Sequence, residues 1–282
     1  MLVFLNGQII KEEDAKIGIN DLSYQFGYGL FETIKCEAGM PVFFEEHYRR
    51  LSHSAREIGM PFPVDMPEIR KWVIDVLKAN KLTSARAKII ISKRAEEKFN
   101  VLILTMPLEN LPSSYKLLGK KLERDPISIS FRHKTTSRAD SYLAYKDAME
   151  KGFNDVIYLN EKNELVECSR ANIFLIMQDK IITPRLESGI LSGVTRSRLL
   201  DISKDASLQV EEKNVHSLYL NKAKSVFVTN AIIGLMRVSK IVLEEKEYTF
   251  PDDKVITDLK KIYDSNILQY VSKNNNLSTT FS

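Results

Sequence analysis

Cysteine is nearly absent from this chain: Cys36 and Cys168 are the only two in 282 residues. They lie far apart and neither has metal-ligand spacing. A disulfide framework and a cysteine-bound metal are therefore excluded, and a reducing compartment is the simpler reading. A dominant charge is lacking too. Lys and Arg total 41 against 37 acidic residues, a net charge of +4. The basic residues are dispersed among acids, which does not build a nucleic-acid surface and suits, at most, a small anionic ligand. No apolar run approaches the length of a membrane span. The stretch "MLVFLNGQIIKEED" has no basic region ahead of its short apolar run, so it does not read as a signal peptide. The expectation is a cytoplasmic protein with neither nucleic acid nor membrane as a partner.

What is present is enough hydrophobic residue, 44%, for one large core or two smaller ones. "LVFLNGQIIK" predicts a β-hairpin, because Asn-Gly supplies the positive φ angles of a tight turn. "FFEEHYRRLSHSAREIGM" predicts a helix stopped at Gly59. "MPEIRKWVIDVLKANK" predicts another, with Ile69, Trp72, Val73, Val76 and Leu77 on one face and Pro67 in its first turn. "AKIIISK" and "NVLILTM" read as buried strands joined by "RAEEKF". The two prolines of "PLENLPSS" mark a linker, which divides the chain into domains 1–113 and 114–282.

Beyond the linker, "YKLLGKKLER" and "ISISF" predict strands. An amphipathic helix follows, with apolar positions at Tyr142, Leu143, Tyr145 and Ala148. Short strands come next ("DVIYLN", "ELVEC", "NIFLIM", "KIITP"), with "EKN" and "QDK" as hairpin-like turns. A helix from Thr195, the strands "SVFVT" and "LMRVSKIVL", and a closing helix over "DKVITDLKKIYDSNILQYVS" complete the chain, leaving "KNNNLSTTFS" as a frayed tail. The fold class is α+β: a small N-terminal α/β domain and a larger, barrel-like second domain.

Four pieces make a chemical set. Lys134 stands in a polar stretch between "ISISF" and a helix. Glu167 ends one strand as the next begins. Gly189 and Gly193 precede a helix start at Thr195, where backbone N–H groups and the threonine hydroxyl favour a phosphate. "HYRRL" offers Arg49 or Arg50 as a guanidinium for that phosphate. A lysine able to condense with an aldehyde, a carboxylate for a ring nitrogen and a phosphate cup are what pyridoxal phosphate requires. Each piece alone has a plainer reading, as a surface lysine, an edge charge, a common turn or a polar helix face.

Taken in order, "NDLSYQFGYGLFETIK", "HYRRL", "HKTTSR" with "YLAYKDAMEKG", "ELVECSRANIFLI", "ITPRLESGILSGVTR" and "SVFVTNAIIGLMRV" resemble the fold-type IV, or class IV, pyridoxal-phosphate aminotransferases over nearly the whole chain. That family includes branched-chain aminotransferases, D-amino acid aminotransferases and 4-amino-4-deoxychorismate lyases. The resemblance implies a two-domain enzyme with the cofactor between its domains, a homodimer, and a small-molecule amino substrate. It implies Lys134 as the lysine that binds the cofactor covalently and later shuttles a proton. Glu167 falls at the pyridine nitrogen, and Arg50, the arginine directly before leucine, on the phosphate. Val194 and Thr195 add phosphate contacts, with Asn230 and Ala231 on its opposite side.

Within the family, "FVTNA", "FGYGLFET", "HKTTSR" and "CSRANIF" resemble the lyase branch. Phe31 stands where D-amino acid aminotransferases carry a tyrosine. Lyase is therefore the first expectation and transaminase the second, with a non-catalytic, metabolite-binding relative as a third. Three departures bear on the substrate. Arg94 is the lone arginine of a stretch that is Gly- and Arg-rich in many lyases. "FGYG" replaces Gly-Asp-Gly, and Arg237 replaces a proline. Arg170 has two readings, recognition of a substrate carboxylate or a surface contact with a neighbouring acid. His47 and His133 read as structural polar contacts, and Cys168 as a small buried thiol.

Overall fold

The computed structural model describes residues 1–60, 62, 64–94, 98–121, 128–178, 180–205 and 208–278. The chain forms two compact units. One comprises Met1–Asn110, His133–Ser137 and Asn266–Ser282; the other comprises Leu111–Arg132 and Arg138–Ser265. Lys134 thus lies in the first unit, although it falls well past position 113.

The first unit contains β1 (Leu2–Leu5), β2 (Gln8–Lys11), α1 (Leu22–Phe26), β3 (Gly29–Glu37), β4 (Met40–Pro41), α2 (Phe44–Glu57), α3 (Met66–Ala79), β5 (Ala85–Lys93) and β6 (Phe99–Pro107). Asn6 and Gly7, at φ of 50° and 94°, turn β1 into β2 as the sequence predicts. The strands form one antiparallel sheet in the order β2-β1-β6-β5-β3-β4. β3 from Leu30 to Glu37 and β5 from Ala85 to Ile91 alternate buried and half-buried residues. Leu30, Ile34, Cys36, Ala85, Ala87, Ile89 and Ile91 point into a core completed by α2 and α3. Ile69, Val73, Val76 and Leu77 are the buried face of α3, and Trp72 stacks on Phe4. Asp65 caps that helix by accepting from Glu68 N.

The second unit contains β7 (Tyr115–Lys121), α4 (Ile129–Arg132), α5 (Ala139–Glu150), β8 (Asp155–Leu159), β9 (Glu164–Cys168), β10 (Asn172–Ile176), β11 (Ile181–Pro184), α6 (Val194–Asp205), β12 (Val210–Lys213), β13 (Val215–His216), β14 (Ser225–Asn230), β15 (Gly234–Leu243) and β16 (Lys246–Thr249). A final helix, α7 (Lys254–Ser278), begins in this unit and ends in the first. The strands run β12-β11-β10-β14-β15-β7-β8-β9-β13, with β16 beside β15. In that order β10 and β9 lie five places apart, yet only residues 169–171 join them. Five spacings of a flat sheet span ~24 Å, and four Cα steps reach only ~15 Å. The sheet must therefore curl onto itself, which is the barrel-like form. Its core gathers Leu117, Ile157, Leu165, Ile173, Ile182, Val226, Val228 and Met236.

Three expectations are corrected. "ISISF" is not a strand: Ser128 O accepts from Phe131 N and Arg132 N, and Ile129–Arg132 is a short helix; Ile127 lies outside the described residues, as do 95–97 of "RAEEKF", 122–124 of "YKLLGKKLER" and 179 of "QDK". The buried line of α5 is Ser141, Ala144 and Ala148, leaving Tyr142 and Leu143 outward at 64% and 60% exposure. Small residues let the helix approach β8 closely, which outweighs the apolar count on the other face. The C-terminal polar run is helical through Ser278. There Asn274 bonds both Arg70 and Tyr270 O, so polar side chains in the first unit hold what composition reads as frayed.

Candidate active site

In the first unit, β3 positions Lys134. β4 pairs only with its Cys36–Glu37 end, so the edge at Gly29–Phe31 is left to another segment. His133–Ser137 takes it: Phe31 N donates to Lys134 O at 2.9 Å, Thr136 N donates to Gly29 O at 2.9 Å, and Leu30 bridges Thr135. The Thr136 hydroxyl donates to Gly27 O at 2.8 Å and accepts from the Ser23 hydroxyl at 2.9 Å. His133 Nδ1 bonds the Ser54 hydroxyl. α1, which supplies Ser23, is capped by the buried Asp21; the other oxygen of that carboxylate accepts from Ser92 and Asn100. The lysine backbone is thus part of a sheet. Its ammonium lies 4.5 Å from the centre of the Phe31 ring, and Lys88 Nζ lies 4.8 Å from the same ring.

On the core side of β3, Glu32 alternates with Phe31 and is 1% exposed. Residues three apart on α2 face it together. Arg50 Nε donates to Glu32 Oε1 at 2.8 Å and Nη2 to Oε2 at 2.7 Å, while His47 Nδ1 lies 2.8 Å from Oε2. Burial alone would raise the Glu32 carboxyl, but the charge of Arg50 and the bonds from His47 and Arg50 hold it well below the usual carboxylate range. Burial lowers His47; its bond to Glu32 and that carboxylate's charge oppose this without prevailing, and the charges of Arg50 and Lys134 add to the lowering. An ionised carboxylate only accepts, so Nδ1 of a neutral His47 carries the proton. Of the two candidate arginines, Arg49 is exposed and Arg50 half-buried. The fork to Glu32 uses Nε and Nη2 of Arg50.

In the second unit, Glu167 is the penultimate residue of β9 and is buried. Its Oε2 accepts from Leu191 N at 3.0 Å and Asn172 Nδ2 at 3.3 Å, and the same Nδ2 donates to Leu191 O at 3.0 Å. Asn172 also abuts Gly193: a Cβ there would lie 2.1 Å from Asn172 Oδ1. Only glycine allows the chain to enter α6 this close to Asn172. Val194 and Thr195 are buried in the first turn of α6, and the Thr195 hydroxyl lies 3.1 Å from the Tyr263 hydroxyl. Asn230 closes the β14–β15 turn. Its Oδ1 accepts from Ile232 N and Ile233 N, and its Nδ2 donates to Arg170 O. Ala231 lies in that turn.

Arg170 is exposed, with its guanidinium stacked 3.6 Å from the centre of the Tyr145 ring. The turn carrying it is tied to the buried Asp155, which accepts from Ser169 N and the Ser169 hydroxyl; Arg138 donates to Ser169 O. Burial pushes the Asp155 carboxyl up, against the Ser169 bonds and the charge of Arg170. Arg94 lies elsewhere, lining a surface cavity in the first unit with Asn6, Trp72 and Phe99. Arg237 pairs with Asp252, and burial pushes the Cys168 thiol up.

Within the first unit, then, Lys134 meets Phe31, and Arg50 meets Glu32 and His47. Within the second, Asn172 ties Glu167 to the start of α6. Sequence reasoning missed Glu32, Asn172 and Asp155. Glu32 had a signal, a carboxylate in the buried register of "LFETIKC"; Asn172 and Asp155 had none. Taken unit by unit, an amine and a guanidinium in the first, and a buried carboxylate and a helix start in the second, are the donor chemistry suited to an aldehyde, a basic ring nitrogen and a phosphate.

Residues 29–241 match the family described as amino-transferase class IV. A probable branched-chain-amino-acid aminotransferase of Rickettsia felis is 26% identical over 274 residues, covering 93% of this chain and 94% of that one. The aminodeoxychorismate lyase of Bacillus subtilis is 25% identical over 279 residues, covering 94% of each. A hypothetical aminotransferase from Mycobacterium tuberculosis, in its PLP-bound form, is 18% identical with a TM-score of 0.85, covering 95% of this chain and 99% of that one, and has the same fold. A family match across most of the chain carries the conclusion: this protein belongs to the class IV aminotransferases.

Proposed function

We propose that the chain is a pyridoxal-phosphate enzyme and that its reaction is the release of pyruvate from 4-amino-4-deoxychorismate to give 4-aminobenzoate. The observation that carries the cofactor reading is Lys134, whose backbone fills the open edge of β3 and whose amine lies over the Phe31 ring. Lys134 and Arg50 of the first unit, and Glu167, Val194 and Thr195 of the second, would hold the cofactor, with the Asn230–Ala231 turn at its phosphate end. Bound there, the cofactor supplies an aldehyde for the substrate amine and a ring that draws electrons from the reacting carbon. Glu167, fixed through one oxygen by Leu191 N and Asn172, holds a proton on the ring nitrogen. Arg50 and the α6 N–H groups orient the phosphate. Lys134 Nζ takes a proton from the substrate and returns one to the departing fragment.

Phe31 supports the lyase reading, because the ring beneath Lys134 offers no hydroxyl to a substrate. Arg170, exposed on Tyr145, is the candidate for a substrate carboxylate; Arg94, in a separate cavity, has less support. A transaminase acting on branched-chain or D-amino acids is the second reading, favoured by the branched-chain relatives. The test is direct. Protein given 4-amino-4-deoxychorismate without an amino acceptor should release pyruvate, and borohydride should fix the cofactor to the peptide containing Lys134. No pyruvate, together with reversible bleaching by an amino acid and a keto acid, would move the assignment to transaminase. A colourless protein that stays unlabelled would refute both.

A further inference from the structure

Glu32 is out of place by composition. It stands in the buried register of β3 between Leu30 and Ile34, both fully buried, where an aliphatic side chain would pack without cost. A carboxylate there is tolerated only if paired and fully hydrogen-bonded. It is: both oxygens are engaged, Oε1 by Arg50 Nε and Oε2 by Arg50 Nη2 and His47 Nδ1. Three bonds on two oxygens fix the plane of the carboxylate. Its parallel fork in turn fixes the plane of the guanidinium, whose five donors are rigidly related.

We propose that Glu32, braced by His47, is a positioning residue that orients Arg50 towards the phosphate of the bound cofactor. This rests on the pyridoxal-phosphate reading. With Glu32 charged and His47 neutral, the cluster of Arg50, Glu32 and His47 carries +1 − 1 + 0 = 0 net charge. Arg50 therefore serves the phosphate through the direction of its guanidinium rather than through excess positive charge. Direction is what the fork supplies, and shortening the carboxylate by one methylene removes it while keeping the charge. His47 contributes a single donor, so its role passes to any side chain that places an N–H at the position of Nδ1.

The experiment uses the full chain freed of cofactor and measures its affinity for pyridoxal phosphate and for pyridoxal, which lacks only the phosphate. The readout is the ratio of the two, which a general loss of core stability does not move. Glu32→Asp should lower that ratio about tenfold, the scale of one charge-assisted hydrogen bond, with pyridoxal affinity unchanged. His47→Asn, which keeps the donor, should hold the ratio, and His47→Leu should lower it. If Glu32→Asp fails to fold, the His47 pair carries the same contrast. Variants that leave the ratio at the wild-type value, or that lose both affinities together, would overturn the inference and leave the cofactor reading standing. Wild-type protein that binds neither compound, or binds both alike, would refute the phosphate reading of Arg50 and this inference with it.

Discussion

Replacing Gly193 by alanine tests the geometry around Glu167 most sharply. The added Cβ would lie 2.1 Å from Asn172 Oδ1 and 3.3 Å from both Asn172 Cγ and Arg196 Cβ. Arg196 is among the largest fully buried side chains and is bound to Pro184 O and Glu212, so Asn172 is the group that must yield. In yielding it loses its bonds to Leu191 O and Glu167 Oε2. Two buried hydrogen bonds at about 1 kcal/mol each, with at least about 1 kcal/mol of overpacking strain, put the cost near 3 kcal/mol. Urea unfolding of Gly193→Ala should show it. Asn172→Ala alone should cost about 2 kcal/mol. In that background Gly193→Ala should cost under about 1 kcal/mol, because the clash is gone and neighbouring residues are not additive. A Gly193→Ala protein within about 0.5 kcal/mol of wild type, or a strictly additive double variant, would refute the reasoning.

Acid should destabilise the first unit in two steps of the same sign. His47 resists protonation in the fold, so the unfolded chain takes up the proton first and stability falls as pH drops through about 6.5. Glu32 is held ionised, and its contribution, present above about pH 4.3, is lost below it. Urea midpoints at pH 7.5, 5.5 and 4 would read this, and a flat profile to pH 5.5 counts against a neutral His47. Thr136→Val removes the hydroxyl shared by Ser23 and Gly27. It should cost about 1–2 kcal/mol and reduce borohydride trapping at Lys134; full trapping would show that the hydroxyl does not hold the lysine.

Much of this was legible in the sequence for local reasons. Asn-Gly fixes a hairpin and the spacing from Ile69 to Leu77 fixes a helix face, whatever the rest of the chain does. Lys134, Glu167 and Arg50 stood out as candidates because reactive residue types in an ordered set are rare. The misreadings came where tertiary contact overrode pattern. Alternation in "ISISF" says strand, but carbonyl bonding at Ser128 turns it helical. In α5 the aromatic positions look like a core face, yet small residues set the approach to β8. Asn172 was invisible because its value lies in joining Glu167, Leu191 and Gly193, three points known to be neighbours only after folding. The parallel pairing of β7 with β15 is long-range in the same way.

The sheet edge that receives Lys134 also dictates an order of events during synthesis. The contacts of Thr136 with Gly27 and Ser23 span 109 and 113 positions of chain, so β3 leaves the ribosome long before the segment that completes it. In that interval its Gly29–Phe31 edge presents unpaired backbone groups, a template for the wrong strand. Closing so long a loop is slow, and contacts of this kind form late. Lys134 is therefore among the last groups set in place. A fragment ending at Asn110 would display the open edge and lack Lys134, and it should aggregate through that edge where the whole chain has it paired.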